Sequence, residues 1–270
     1  MITSSRARLG ALTLTGVLSL ALVTGCSGGS DGKPDAGRTP GAASSAAGDG
    51  SAPGKALSAE ELAELIVGAG DVDGFEVAEP GEDDIFGGAW EDVRIEGGDG
   101  CDPLARALSG SPVGEAETHL SRQVTQQRPT ASGEDDDLSL HDAIRLDVTT
   151  VTLAAYEGDG AERAVRSVSE AVTSCSEGFT VTLPGVEPSA YDRIASEKGA
   201  PAEGADETVA YGLTGEPFEE GGPATTVHGQ VARHGNTVVT YLTVNLGNMA
   251  EGKPYEVSAP VVAAQAKKLA

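Results

Sequence analysis

The chain has 270 residues, 42 Asp and Glu against 18 Lys and Arg, and a formal charge of −24. So negative a surface repels nucleic-acid phosphates and anionic lipid headgroups, and nucleic acid is excluded as a partner. With 37 Gly, 14 Pro and only 4% aromatic residues, the composition fits a turn-rich globular domain and argues against an all-helical bundle.

Residues 1–25 have the parts of a secretory signal: Arg6 and Arg8, an apolar run from Leu9 to Leu22, then small residues. The apolar run is shorter than the roughly 20 residues a membrane-spanning helix needs. Leu22-Val23-Thr24-Gly25-Cys26 resembles the bacterial lipobox, whose Cys receives a diacylglyceryl thioether, further acylated with chains such as palmitate, and becomes the new N-terminus. Cys26 is thus the expected lipidation site, placing the mature chain on the extracytoplasmic face of the cell membrane. Residues 26–56, nearly devoid of large apolar side chains, cannot offset the entropy of ordering and read as a disordered Gly/Ser/Ala/Pro tether. Its reach is on the order of 30 Å. A single domain is expected over residues 57–270.

Ser58 with Glu61 three residues on is a capping-box signature ahead of Leu62, Leu65 and Ile66, and Gly68 is placed to close that helix. Asp71-Val72-Asp73-Gly74 has part of an EF-hand loop's pattern, but it lacks the third acidic position before the Gly and a later Glu at the right spacing, so no calcium site is assigned. Phe75–Ala78 and Ala89–Ile95 read as short strands, with Phe86 and Trp90 as packing aromatics. The acids between Leu57 and Gly100, where Arg94 is the lone base, read as a solvated surface. Asp102-Pro103 is an N-cap with Pro at the first helical position, and Leu104, Ala107 and Leu108 form the inner stripe of a short helix. Residues 115–127 follow as a strand with Arg122 on its apolar phase, then the Glu134–Asp137 charge run reads as a loop. Ile144, Leu146 and Val148 alternate, whereas Val151 and Leu153 occupy the opposite phase, which predicts a bulge near Thr149 or Thr150.

Asp159 and Glu162 open the longest helix, Gly178 stops it, and Ala161, Ala164, Val165, Val168, Val172 and Cys175 share one face. With Cys26 committed to lipid, Cys101 and Cys175 form an even pair in an exported protein, where disulfides persist. Their bond is expected to clip the short helix to the far end of the long one. Beyond Gly178 the period becomes two, with strands at 179–183, 191–195, 209–213 and 225–233, and a Gly235-Asn236 hairpin turn into Val238–Val244. A final helix starts at Pro260, with Val262, Gln265, Ala266 and Leu269 on one side and Lys267 and Lys268 near its C-terminal dipole. Consecutive strands joined by short turns imply an α+β fold: a mostly antiparallel, twisted sheet with helices covering one face and one disulfide.

No catalytic set stands out. His119, His141, His228 and His234 have no neighbour at metal-ligand spacing and read as surface residues, so no metal and no cofactor is assigned. There is no nucleophile elbow, phosphate-binding loop or dinucleotide fingerprint.

The lipobox, the tether, the helix from Leu57-Ser58-Ala59-Glu60, the Cys101-Asp102-Pro103-Leu104 helix, the long helix ending at Cys175, and the closing hairpin and Val261–Leu269 helix together resemble actinobacterial envelope lipoproteins whose soluble part is similar to the PknH-type extracellular sensor domain. The resemblance spans Leu57 to Ala270. It implies an antiparallel sheet with flanking helices forming a cleft and a ligand-sensing role. The kinase-linked members carry two disulfides where this chain has cysteines for one, and neither a kinase domain nor a transmembrane span is read here. The expected function is a lipid-anchored, non-enzymatic ligand-binding or sensor-like lipoprotein. A carrier of a lipid or other apolar envelope molecule and an envelope hydrolase are the alternatives. The expected partners are the membrane, through Cys26, and a small-molecule, lipid or protein ligand of undefined identity.

Overall fold

The computed structural model describes residues 54–81, 93–98, 100–127, 145–175, 177–183 and 187–270. The signal, Cys26, most of the tether, Phe86, Trp90, the Glu134–Asp137 run and His141 lie outside these residues. Among the described residues, nine strands form one sheet and five helices pack on it. The strands are β1 (Phe75–Ala78), β2 (Arg94–Glu96), β3 (Thr118–Gln126), β4 (Val148–Ala155), β5 (Phe179–Thr182), β6 (Ser189–Ser196), β7 (Glu207–Gly215), β8 (Thr225–His234) and β9 (Thr237–Val244). The helices are α1 (Ala59–Leu65), α2 (Asp102–Leu108), α3 (Gly160–Ser174), α4 (Leu246–Glu251) and α5 (Ala259–Leu269). The sheet order is β1-β3-β4-β9-β8-β7-β6-β5-β2, and every neighbouring pair is antiparallel.

Helices cover both faces of the sheet, not one as expected from the order of elements. On one face α2 and α3 bury Leu104, Leu108, Val165 and Val168 against Ala154, Leu213, Val231 and Leu242. On the other, α1 and α5 bury Leu62, Ile66, Val261 and Val262 against Val151, Leu153, Val239 and Tyr241. Double coverage also removes the predicted bulge. β4 pairs without a register shift to β3 and to β9, because Val151, Leu153 and Ala155 face one core while Ala154 faces the other. A strand buried on both sides carries apolar residues in both phases. The sheet's irregularity lies instead in β6, between Tyr191 and Arg193.

Local signals that use near neighbours are obeyed at α1. Glu61 N–H donates to Ser58 Oγ (3.3 Å) and Ser58 N–H donates to Glu61 Oε2 (2.8 Å), a complete capping box. Its end differs from expectation, since Gly68 is not the stop. Gln265 of α5 donates to Leu65 O (2.8 Å) and accepts from Val67 N–H (2.9 Å), so the last turn of α1 is capped from another helix. Gly68 N–H donates to Asp71 Oδ2 (2.7 Å) instead, and Lys268 reaches the same oxygen (3.0 Å). Lys55 and Ala56, read as the end of the tether, already touch the domain: Asn236 Nδ2 donates to Lys55 O (2.9 Å), and Ala56 packs on the α1/α5 core.

α2 starts one residue early, with Cys101 rather than Asp102 as N-cap, because Cys101 O accepts from both Leu104 N–H (3.0 Å) and Ala105 N–H (3.1 Å). At α3 Asp159 is the N-cap as read, but its carboxylate pairs with Arg163, and Glu162 pairs with Arg166, so neither side chain caps the helix. These i,i+4 arginines compete for both carboxylates. The Cys101–Cys175 disulfide is present, with the Cα atoms 5.2 Å apart, and it joins the start of α2 to the end of α3. Beside it Gly178 has φ +74 and its carbonyl lies near Cys101; a Cβ there would meet Tyr191 O at 2.3 Å, so glycine is required. The hairpin between β8 and β9 turns through Gly235 (φ +61) and Asn236 as read from sequence. The short α4, capped by Asn245 Oδ1 accepting from Asn248 N–H (3.0 Å) and ended by Gly252 at φ +63, has no counterpart in the sequence reading.

Candidate functional site

α1 and α5 cover the sheet over β3, β4 and β9, and the same face continues beyond them across β8, β7 and β6. There it forms a groove of about 520 Å³, lined by Arg193, Ala195, Glu197, Thr214, Thr226 and His228 from the strands and by Asn248 and the turn Gly252–Tyr255 after α4. The side chains alternate along each strand, so 193, 195 and 197 on β6 and its continuation stand on the same face as 226 and 228 on β8.

At its centre is a contact across an intervening strand. Ala195 opposes Gly212, and Gly212 opposes His228. Because Gly212 has no side chain, the Glu197 carboxylate lies over β7, and its Oε2 meets His228 Nδ1 at 2.7 Å. A Cβ on residue 212 would stand 2.2 Å from Glu197 Oε1 and 2.9 Å from its Cδ. The His228 ring packs edge to face with Tyr255, centroids 4.5 Å apart. Tyr255 OH in turn donates to Thr226 O. Burial holds the Tyr255 phenol well above its ordinary range, so it stays a neutral donor at any physiological pH. Thr214 and Thr226 bond to each other through their hydroxyls at 2.9 Å, and the Arg193 guanidinium rests on Thr214 Oγ1 at 3.4 Å.

One wall is held by Gln230, fully buried on β8. Its amide donates to Ala200 O (3.0 Å) and accepts from Ala200 N–H (2.8 Å), so the segment after Glu197 is fastened as by a strand partner. A second groove, of about 410 Å³, opens at the nearby end of the sheet between Glu187–Tyr191, Gly215–Phe218 and Val227, and shares Met249 with the first. Burial pushes the Tyr191 phenol there up to about 12. Phe218, 57% exposed, stands at its rim.

Of the described histidines, all read as surface residues from the sequence, His119 is exposed on β3, His234 is half-buried at the end of β8, and His228 lines the groove. Glu197 was not singled out in sequence, since nothing local links it to a histidine 31 residues away on a strand that is not its neighbour. Cys101 and Cys175 lie in the core between α2 and α3, and Cys26 is outside the described residues. Among the described residues no group of three or more His, Cys, Asp or Glu side chains is placed to hold a metal ion. No described helix is long and apolar enough to cross a membrane.

No protein-family model and no curated protein matches the chain. Among the solved structures that align with the chain are two from mycobacteria. The extracellular domain of PknH from Mycobacterium tuberculosis aligns at 15% identity and TM-score 0.45, covering 80% of this chain and 97% of that one. The Rv0999 ortholog from Mycobacterium smegmatis aligns at 12% identity and TM-score 0.30, covering 73% and 90%.

Proposed function

We propose that this chain is a lipid-anchored, extracytoplasmic, non-enzymatic ligand-binding lipoprotein, held at the membrane through Cys26 and binding its ligand in the β6–β8 groove. The observation that carries the reading is the groove itself: a concave sheet face beyond the helices, with a few convergent polar groups fixed by buried contacts, is the usual form of a small-molecule site. Two features support binding over turnover. The groove's two threonine hydroxyls bond to each other rather than to His228, so no nucleophile is seated on the imidazole. Glu197 is the one carboxylate among the described lining residues, whereas a glycosidase-type mechanism needs two. The core disulfide supports an oxidising location. Among the described residues, buried Leu, Val and Tyr side chains pack between sheet and helices, which favours a polar ligand in the open groove over an apolar cargo between the layers.

Native mass spectrometry of the mature protein released from its own membranes tests the reading. Ala195→Trp fills the groove from an exposed strand position. An adduct present on the wild type and lost on the folded variant is expected. An adduct that survives Ala195→Trp places the ligand elsewhere, and measured turnover abolished by His228→Ala defeats the non-enzymatic reading.

A further inference from the structure

We infer that the groove selects a small acidic molecule that also carries hydroxyl groups, of the chemical class of a sugar acid, with Arg193 taking its carboxylate and the Glu197–His228 pair taking its hydroxyls. This rests on the groove being a binding site and adds the ligand's chemistry.

The first argument is charge. In a chain with 42 acids and 18 bases, a guanidinium has many carboxylates to choose from, and Arg122, Arg145, Arg163, Arg166 and Arg233 each meet one. Arg193 does not make such a pair among the described residues; it leans on a neutral threonine hydroxyl and leaves its remaining N–H donors for the groove. A planar fork of donors matches a carboxylate in bidentate fashion. Lys253 lines the groove from the turn after α4 and adds positive potential there, although its ammonium is shared with Glu251 at 2.5 Å.

The second argument is polarity along the groove. Glu197 bears a carboxylate that accepts hydrogen bonds and repels a second anion. Asn248 and Thr226 add uncharged donors and acceptors. A bare phosphate or sulfate satisfies the Arg193 end but is repelled at the Glu197 end. A neutral sugar satisfies the Glu197 end and leaves the guanidinium without a counter-charge. A monoanion with hydroxyls fits both, and its orientation follows: carboxylate toward Arg193, hydroxyls toward Glu197 and His228.

Isothermal titration of the full mature chain with D-glucuronate, D-glucose and inorganic phosphate tests this. Glucuronate should bind, and Arg193→Gln should weaken it about 10- to 100-fold, the value of one charge-assisted bidentate contact. Arg193→Lys should recover part of that loss, and unchanged thermal unfolding of both variants separates binding from misfolding. Glucose binding as tightly as glucuronate, or indifference to Arg193→Gln, overturns the role of Arg193 while leaving the groove as a site. Phosphate binding as tightly as glucuronate overturns the hydroxyl half. Absence of heat with all three probes at millimolar concentration overturns the ligand class, and the Ala195→Trp comparison then decides independently whether the groove binds anything.

Discussion

Gly212 shows how one missing side chain builds a site. The carboxylate that crosses above it is the far end of a flexible Glu197, so Gly212→Ala should push that carboxylate aside without unfolding the sheet. The expected result is a melting temperature lower by a few degrees. Amide shifts should be confined to residues around 197, 212 and 228 and match those of Glu197→Gln; shifts spreading to α1 and α5 would contradict a local role. Gln265 is a different case, fully buried and bonded to two backbone groups of the α1 end. Gln265→Leu keeps the volume but strands the buried Val67 N–H and the partly buried Leu65 carbonyl, so urea unfolding should show a loss of about 2–4 kcal/mol. Asp71 supplies the pH prediction. The Gly68 N–H and the Lys268 ammonium hold its carboxyl below its ordinary value. A depressed carboxyl stabilises the fold above its unfolded pKa, and the contribution is lost as pH falls through the folded one. The gap in urea midpoint between wild type and Asp71→Asn should therefore be full at neutral pH and close below about pH 4; a constant gap would refute it. None of these three contacts was announced in sequence, because Glu197 with His228, Gln265 with Leu65, and Asp71 with Lys268 are joined only by the fold.

Elements were read best where the cause is local. The Ser58–Glu61 box, the Phe75–Ala78 strand, the Gly235-Asn236 turn and the apolar stripe of α3 all depend on spacing within a few residues, and each stands where the spacing places it. Errors arose where a distant partner decides. α1 ends on a side chain from α5, and β4 looked bulged because it serves two cores. The groove was illegible for the same reason, since its lining comes from three strands and from a turn that follows a helix six residues long. The link between α2 and α3 was legible from cysteine number. The bond closes a loop with a sequence separation of 74, which in the chain-entropy model stabilises the fold by about 4 kcal/mol. The mature protein should show no titratable thiol before reduction, and reduction should lower the urea midpoint by the equivalent of a few kcal/mol. Two free thiols in the untreated protein would contradict the assignment.

Seen as a whole, the protein combines a strongly acidic surface, a disulfide-clipped sheet with helices on both faces, and, among the described residues, a groove where bases and hydroxyls gather. The proposed anchor has its own test: Cys26→Ser should yield unprocessed or released protein on cell fractionation, whereas an unchanged membrane-bound fraction would refute lipidation. The proposed tether would leave the groove free to sample solutes above the membrane rather than the bilayer itself. The most direct test of the binding function is hydrogen-exchange mass spectrometry of the mature protein with and without a low-molecular-weight extract of the envelope of its own cells. Protection should appear in peptides containing residues 193–197, 226–228 and 252–255, and should vanish in Ala195→Trp. Protection confined to other segments, or persisting in that variant, would contradict it.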